Sequence, residues 1–182
     1  MKIVGFAGSL NPDSATAKGI RVALEAARKA GAEVEFFDLR EHPLPVYDPT
    51  DRGAGDENVQ YFVKLMSEAD GFILGSPEYH NGPSGAFKNA LDFIGSTQFA
   101  GKPIGLASSA GGAVATNTLN QMLTILRSLH GYVVPQFGSV GGGTQFTADG
   151  NFVDPAMQER FEKIGLDVFA LGQAMRQAAA QQ

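Results

Sequence analysis

Short runs of apolar residues alternate along the whole chain with longer segments in which apolar residues recur every three or four positions. Short continuous runs are typical of buried strands, and the longer spacing is typical of helices with one buried face. The pattern predicts five strands, at residues 3–7, 34–39, 72–75, 103–108 and 132–134. It predicts helices at about residues 15–30, 56–69, 86–94, 113–130 and 154–178.

Residues that start and stop helices support this assignment. Gly31 follows the first helix, Asp154 is suited to cap the last helix, and Pro155 is suited to its first position. The alternation over 182 residues predicts a single α/β domain, residues 1–182, with helices on both faces of a doubly wound, five-stranded parallel sheet. If the strand order is 2-1-3-4-5 along the chain, the loops after strands one, three and four meet at one edge.

The composition removes several classes of function. The chain has no cysteine, which excludes disulfides, a thiolate nucleophile and cysteine-bound clusters, and its histidines show no metal-ligand spacing. A formal net charge of -5 argues against a nucleic-acid-binding surface. The apolar run at residues 1–8 is too short for the core of a signal peptide, and no apolar stretch approaches the roughly 18 residues of a membrane span. We therefore expect a cytoplasmic protein.

The most informative stretch is residues 75–93, GSPEYHNGPSGAFKNALDF, because a short buried strand leads into a stiff polar loop and then into a helix. Pro77 and Pro83 restrict φ, while Gly82 and Gly85 allow the backbone to come close to a ligand. Ligands of open α/β sheets bind at the carboxyl ends of strands, where the strand order reverses. The stretch therefore predicts a loop that can hold a flat ring.

The turn between the first strand and the first helix, residues 8–16, is rich in small hydroxyl residues. It opens onto a helix N-terminus, where free N–H groups, the helix dipole and hydroxyl groups can hold a phosphate without a cation. Residues 5–8 give GxxG rather than the dinucleotide fingerprint GxGxxG, and no Gly-Lys-Ser/Thr of a P-loop follows. The alternative is that Ser14 only caps the helix.

A third loop, Ser108-Ser109-Ala110-Gly111-Gly112-Ala113, follows the fourth strand. Two adjacent glycines between a strand and a helix can be a tight connection and nothing more. In the 2-1-3-4-5 order, however, this loop and the loop after the third strand would bracket a planar group, and the first turn would hold a phosphate.

Two motifs lie within these loops. The first is Gly8-Ser9-Leu10 with Ser14 downstream, and the second is Ser76-Pro77-Glu78-Tyr79 followed by Gly85 and Lys88-Asn89-Ala90-Leu91-Asp92. Together they resemble the NAD(P)H-dependent FMN reductases, a family of flavodoxin-like fold that includes quinone reductases, azoreductases and chromate-reducing enzymes. The chain has Asn11 where members often carry Arg, Thr16 where they often carry Asn, and Tyr79-His80-Asn81-Gly82 where Tyr-Asn-Gly-Ser is common.

The resemblance implies that residues of all three loops bind FMN. The phosphate would be held by Ser9, Leu10, Ser14, Ala15 and Thr16, and the isoalloxazine would be lined by Pro77, Glu78, Tyr79, His80 and Asn81 and approached by Ser108, Gly111 and Gly112. Other roles stay open for single residues. Glu78 can hold loop backbone rather than act as an acid or base, Tyr79 can anchor its loop, and His80 can be an ordinary surface residue.

The resemblance also implies an FMN-dependent oxidoreductase. It would pass a hydride from NADPH or NADH to FMN, and then electrons to a quinone, flavin, azo compound or metal oxyanion, by a ping-pong mechanism. No catalytic side chain and no metal is expected, because backbone N–H groups of the second and third loops would stabilise the charge that develops at the pyrimidine edge of the flavin. Members of the family are commonly homodimers or homotetramers.

Two other classes of protein remain open. A flavodoxin-like one-electron carrier would bind FMN without a pyridine-nucleotide site, and it would be expected to show a strongly acidic docking face, whereas Arg21, Arg28 and Lys29 share the first helix here. The other class is a phospho-regulated or interaction module without flavin on the same fold. A receiver-like module would need an acidic pocket at the strand ends, whereas the first strand of this chain ends at Gly8-Ser9. Reduction of FMN by NAD(P)H without oxygen distinguishes the enzyme from both.

Overall fold

Six strands and six helices follow one another along residues 1–181, the part of the chain that the computed structural model describes. The strands are β1 (Lys2–Ala7), β2 (Glu33–Phe37), β3 (Gly71–Tyr79), β4 (Gly82–Pro83), β5 (Pro103–Ser109) and β6 (Tyr132–Val140). The helices are α1 (Ala15–Lys29), α2 (Glu57–Glu68), α3 (Gly85–Asp92), α4 (Ser96–Phe99), α5 (Thr116–Ser128) and α6 (Pro155–Ala179).

Five parallel strands form the sheet in the order β2-β1-β3-β5-β6, and β4 pairs with β3 beside this path. Counted without β4, this is the predicted order 2-1-3-4-5, which is therefore confirmed. The strand order reverses between β1 and β3, because β2 lies on one side of β1 and the later strands β3, β5 and β6 lie on its other side. The carboxyl ends of β1, β3 and β5 are consequently neighbours.

Side chains of the central strands alternate between two hydrophobic cores, which explains their continuous apolar runs. On β1, Val4 and Phe6 pack with α2, α3 and α5 on one face, while Ile3 and Ala7 pack with α1 and α6 on the other. Phe6 contacts the rings of Phe62 and Phe87, with centroids 5.6 and 5.4 Å apart. The predicted helices on both faces are thus confirmed.

Helices α1 and α6 approach each other so closely that a side chain is excluded between them. A Cβ atom built on Gly165 would lie 1.8 Å from the carbonyl oxygen of Ala23. Gly31 ends the first helical segment with φ of 109°, and the side chain of Asp154 accepts a hydrogen bond from the N–H of Ala156 at 2.9 Å. Both helix signals predicted at these positions are confirmed.

Several boundaries differ from the predictions. β3 runs four residues beyond Gly75 and returns as β4, and β6 continues through Pro135 to Val140 with an irregular register opposite residues 104–106. α5 begins at Thr116 rather than at residue 113, because residues 110–115 form the third loop. The short helix α4 was not predicted. Among the helices described, none combines the length and apolar character needed to cross a membrane.

Candidate functional site

The loops after β1, β3 and β5 border a single open cleft of about 220 Å³ at the carboxyl edge of the sheet. Residues from each loop line it: Ser9, Asn11, Asp13, Ser14, Ala15, Pro77, Glu78, Tyr79, Ser109, Ala110 and Gly111. The predicted meeting of three loops at one edge is therefore observed. We call this space the cleft.

The first loop presents a helix N-terminus to the cleft. Ser14 caps α1, since its Oγ accepts a hydrogen bond from the N–H of Ala17 at 3.1 Å. Within residues 1–181, the N–H groups of Ser9, Leu10, Ala15 and Thr16 have no protein acceptor. Capping by Ser14 thus leaves other donors of the turn free, and such donors at a helix N-terminus suit a phosphate.

The second loop is a hairpin between β3 and β4. His80 and Asn81 form its two-residue turn with φ of 52° and 62°, the left-handed conformation that such a turn requires. Gln121 donates to the carbonyl oxygen of Asn81 at 2.7 Å, which ties the turn to α5. Tyr79 lines the cleft with 56% of its surface exposed, so its ring is available to a ligand.

Glu78 has a structural partner. Its Oε2 accepts a hydrogen bond from the N–H of Thr118 at 2.9 Å, in the first turn of α5. Ala115 at the N-cap of α5 offers no side-chain oxygen, so the Glu78 carboxylate from another loop satisfies that helix end. This contact supports the interpretation that Glu78 holds backbone rather than transfers protons.

The third loop carries two glycines that the fold itself does not require. Apart from the adjoining residues of the chain, no heavy atom of the described residues would lie within 4 Å of a Cβ atom on Gly111 or on Gly112, and neither residue has positive φ. Among residues 1–181, no protein acceptor receives the N–H groups of Gly111, Gly112 and Ala113. An open approach to unpaired backbone donors points to a ligand rather than to a tight connection.

Buried hydroxyl groups connect the three loops in pairs, and we call these contacts the hydroxyl ties. They join Thr16 Oγ1 to Ser109 Oγ at 2.7 Å, Ser108 Oγ to the carbonyl oxygen of Ser76 at 2.6 Å, and Ser84 Oγ to the carbonyl oxygen of Gly8. Each hydroxyl lies on a residue with little or no exposure, except that of Ser109, which is half-buried. The ties hold the loops at fixed separations before any ligand binds.

The structure divides the predicted site residues into four groups. Ser9, Ser14, Ala15, Pro77, Glu78, Tyr79 and Gly111 line the cleft. Thr16 and Ser108 lie behind its wall, with their hydroxyls in the ties, while Leu10 and Gly112 are exposed neighbours of lining residues and His80 and Asn81 form the exposed hairpin turn. Sequence reasoning missed Asn11, Asp13, Ser109 and Ala110, which belong to the same loops. Residues 1–181 contain no cluster of three metal-ligating side chains.

A phosphate-suited turn and two walls lie at the switch point of a doubly wound sheet, where proteins of flavodoxin-like fold bind their ligands. Comparison with solved structures supports the flavodoxin-like fold, because the chain superimposes on a flavodoxin from the domain Archaea with a TM-score of 0.69 at 11% identity, over 95% of this chain and 99% of the other. It also superimposes on a flavoenzyme NAD(P)H:(acceptor) oxidoreductase from Paracoccus denitrificans with a TM-score of 0.70 at 21% identity, over 97% of both chains.

Sequence comparison identifies the family. Residues 1–145 match the family model of the NADPH-dependent FMN reductases. An FMN-dependent NADPH-azoreductase from Staphylococcus saprophyticus is 37% identical over 132 residues, which are 66% of this chain and 70% of that protein. The chain belongs to the NADPH-dependent FMN reductase family. Membership confirms the predictions of an NAD(P)H-dependent oxidoreductase and of FMN as its cofactor.

Proposed function

We propose that the protein passes a hydride from NADPH or NADH to bound FMN, and then passes electrons to a small-molecule acceptor by a ping-pong mechanism. The single observation that carries this proposal is the open cleft between two sets of free backbone donors. A flat cofactor between these donors would keep one side accessible, which is what a co-substrate and an acceptor need in turn. The residues present therefore fit FMN.

Each part of the cleft has a distinct task in this proposal. Bound FMN supplies the hydride- and electron-transfer chemistry. The N–H groups of the first turn bind the phosphate, with Ser9 and Ser14 beside them. The N–H groups of Gly111 and Gly112 are free to stabilise negative charge on a carbonyl edge, because preorganised donors act without rearrangement. No proton-transferring side chain is required.

The electron acceptor is proposed separately, because several kinds of compound can fill this role. An azo compound is one candidate, because the staphylococcal relative is an azoreductase. Quinones, free flavins and metal oxyanions are the others, since each accepts electrons from an exposed reduced cofactor.

We also propose a homodimer or homotetramer in the cytoplasm, without a membrane or nucleic-acid partner. The exposed apolar residues Leu10, Tyr79 and Val114 would suit a subunit contact. Light scattering after size exclusion measures the assembly.

The visible spectrum of the purified protein tests the proposal. FMN is added to saturation, unbound FMN is removed, and NADPH or NADH is then added under argon. We expect absorbance near 450 nm to be retained after desalting and to bleach on addition of the nucleotide, then to return with a quinone or an azo dye. A protein that retains no FMN would refute the proposal. Retained FMN that only dithionite bleaches would instead indicate an electron carrier.

A further inference from the structure

A second concavity lies beside the cleft, between α1, β2 and the turn at residues 149–151. This groove has a volume of about 440 Å³ and includes Lys18, Arg21, Val34 and Phe36 in its lining. A recess of about 70 Å³ joins the two spaces, since it shares Ser9, Asn11 and Ser14 with the cleft and Lys18, Arg21 and Phe36 with the groove. We call these spaces the groove and the recess.

Three cations surround the recess, namely Lys18, Arg21 and Arg40. They face two carboxylates, because Lys18 pairs with Asp13, and Asp38 pairs with Arg40 and lies 3.9 Å from Arg21. The net charge of these five side chains is therefore +1. Arg21 is the least engaged of the three, since its contact with Asp38 is long and 55% of its side chain is exposed. Its guanidinium donors are therefore available to an anion.

Buried and stacked groups hold these cations in place. Asp38 is 8% exposed at its side chain and accepts hydrogen bonds from Nε of Arg40 at 3.0 Å and from the backbone N–H of the same residue at 2.9 Å. The Arg21 guanidinium lies over the Phe36 ring, 3.9 Å from its centroid. The Lys18 ammonium lies 4.9 Å from the Phe146 centroid. A fixed set of donors loses little entropy when it binds a ligand.

The lining of the groove differs from that of the recess. Val22, Val34 and Phe36 give it an apolar floor, and Asp149 and Asn151 offer oxygen acceptors at its rim. Glu25 also lines it, but both of its carboxylate oxygens are bound by Arg28 at 2.7 Å. An apolar floor with acceptors at the rim suits a purine base that carries an exocyclic amino group.

We propose that the recess and the groove bind the 2′-phosphoadenosine half of NADPH, with the 2′-phosphate at Arg21 and Lys18 and the adenine in the groove. The proposal rests on the proposed function, because it gives the co-substrate of the cleft a second attachment point. NADH lacks the phosphate dianion and would leave the positive charge of the recess without a partner. Arg21 therefore determines the preference for NADPH over NADH.

The experiment is a calorimetric titration of the FMN-loaded protein with adenosine 2′,5′-bisphosphate and with 5′-AMP. We expect the bisphosphate to bind at least about tenfold more tightly, since one charge-assisted contact supplies a factor of that order. Arg21→Gln should remove most of this difference, and Arg21→Lys should restore part of it. In steady-state assays, Arg21→Gln should raise the KM for NADPH by about tenfold and leave the KM for NADH within about twofold.

Lys163→Gln is the matched control, because it removes one positive charge from an exposed pair with Asp167 on α6, and Lys163 lines neither the recess nor the groove. It should leave both titrations unchanged. Equal affinities for the bisphosphate and 5′-AMP in the native protein would overturn the proposal, as would an unchanged difference in Arg21→Gln. Binding of the bisphosphate only to FMN-free protein would also overturn it, because the ligand would then occupy the phosphate turn. None of these outcomes depends on turnover, so they are separate from a failure of the proposed function.

Discussion

Replacing Ser84 with alanine should destabilise the protein more than any other single loss of a hydroxyl among the ties. Ser84 is 4% exposed, caps α3 by accepting from the N–H of Phe87 at 3.1 Å, and donates to the carbonyl oxygen of Gly8 in the phosphate turn. One hydroxyl thus satisfies a donor of a helix end and an acceptor of another loop. Ser84→Ala removes both contacts at once.

The size of the effect follows from these two contacts. Loss of an N-cap side chain costs about 1 kcal/mol. A buried carbonyl group that loses its donor costs about 1–3 kcal/mol. The free energy of unfolding should therefore fall by about 2–4 kcal/mol. For a chain of this length, the melting temperature should fall by about 4–16 °C.

Urea denaturation of the FMN-free protein, followed by circular dichroism, measures this free energy. Ser128→Ala is the matched control, because Ser128 is exposed and, among residues 1–181, its hydroxyl bonds only to the carbonyl oxygen of Ile125 in its own helix, at 2.6 Å. The control should change the free energy of unfolding by less than about 0.5 kcal/mol. If Ser84→Ala lowers the free energy of unfolding by no more than Ser128→Ala does, the Ser84 hydroxyl does not connect the loops as the structure indicates.

Gly111→Leu should weaken FMN binding, measured by quenching of FMN fluorescence. It should not lower the melting temperature, because the new side chain would enter open space beside the cleft. An unchanged affinity for FMN would contradict the placement of FMN in the cleft. Gly165→Ala should destabilise the fold by about 3 kcal/mol or more in urea denaturation, since its Cβ would collide with the carbonyl oxygen of Ala23, and a change below about 1 kcal/mol would contradict that packing. The hydrogen bonds from Arg40 hold the pKa of Asp38 below its usual range, so the stability that this carboxylate contributes is present above about pH 4 and is lost as the pH falls through the lowered value. Urea denaturation between pH 6 and pH 2 should show a shallower acid loss in Asp38→Asn, and parallel curves would refute that linkage.

Much of the fold could be predicted from local signals. The apolar runs and the residues at helix ends, such as Asp154 with Pro155, depend on a few neighbouring positions. β4 could not be predicted, because its residues are Gly82 and Pro83, types that are depleted in strands, and its pairing depends on the left-handed turn at His80 and Asn81. The extension of β6 past Pro135 likewise depends on a register irregularity against β5.

The site was predictable in its loops but not in the direction of each side chain. Glycine and small polar residues after three strands indicated where a ligand could bind. Whether Thr16 faces the ligand or the protein depends on Ser109, which lies 93 positions away, and the contact of Glu78 with Thr118 spans 40 positions. The recess could not be predicted from the sequence for the same reason, since residues of α1 and Arg40, which follows β2, line it together. Such contacts exist only once the sheet order is set.

The hydroxyl ties also distinguish two sets of positions at which a substitution would lower the folding free energy by different amounts. The tie hydroxyls lie on buried or half-buried residues and fix the geometry of the loops, whereas the side chains of Leu10 and Tyr79 are more than half exposed, at 59% and 56%. Substitutions at the exposed positions would alter which acceptor meets the cofactor without loosening the frame that holds it. One scaffold can therefore acquire new acceptors stepwise, since each change in specificity leaves the folding free energy nearly constant.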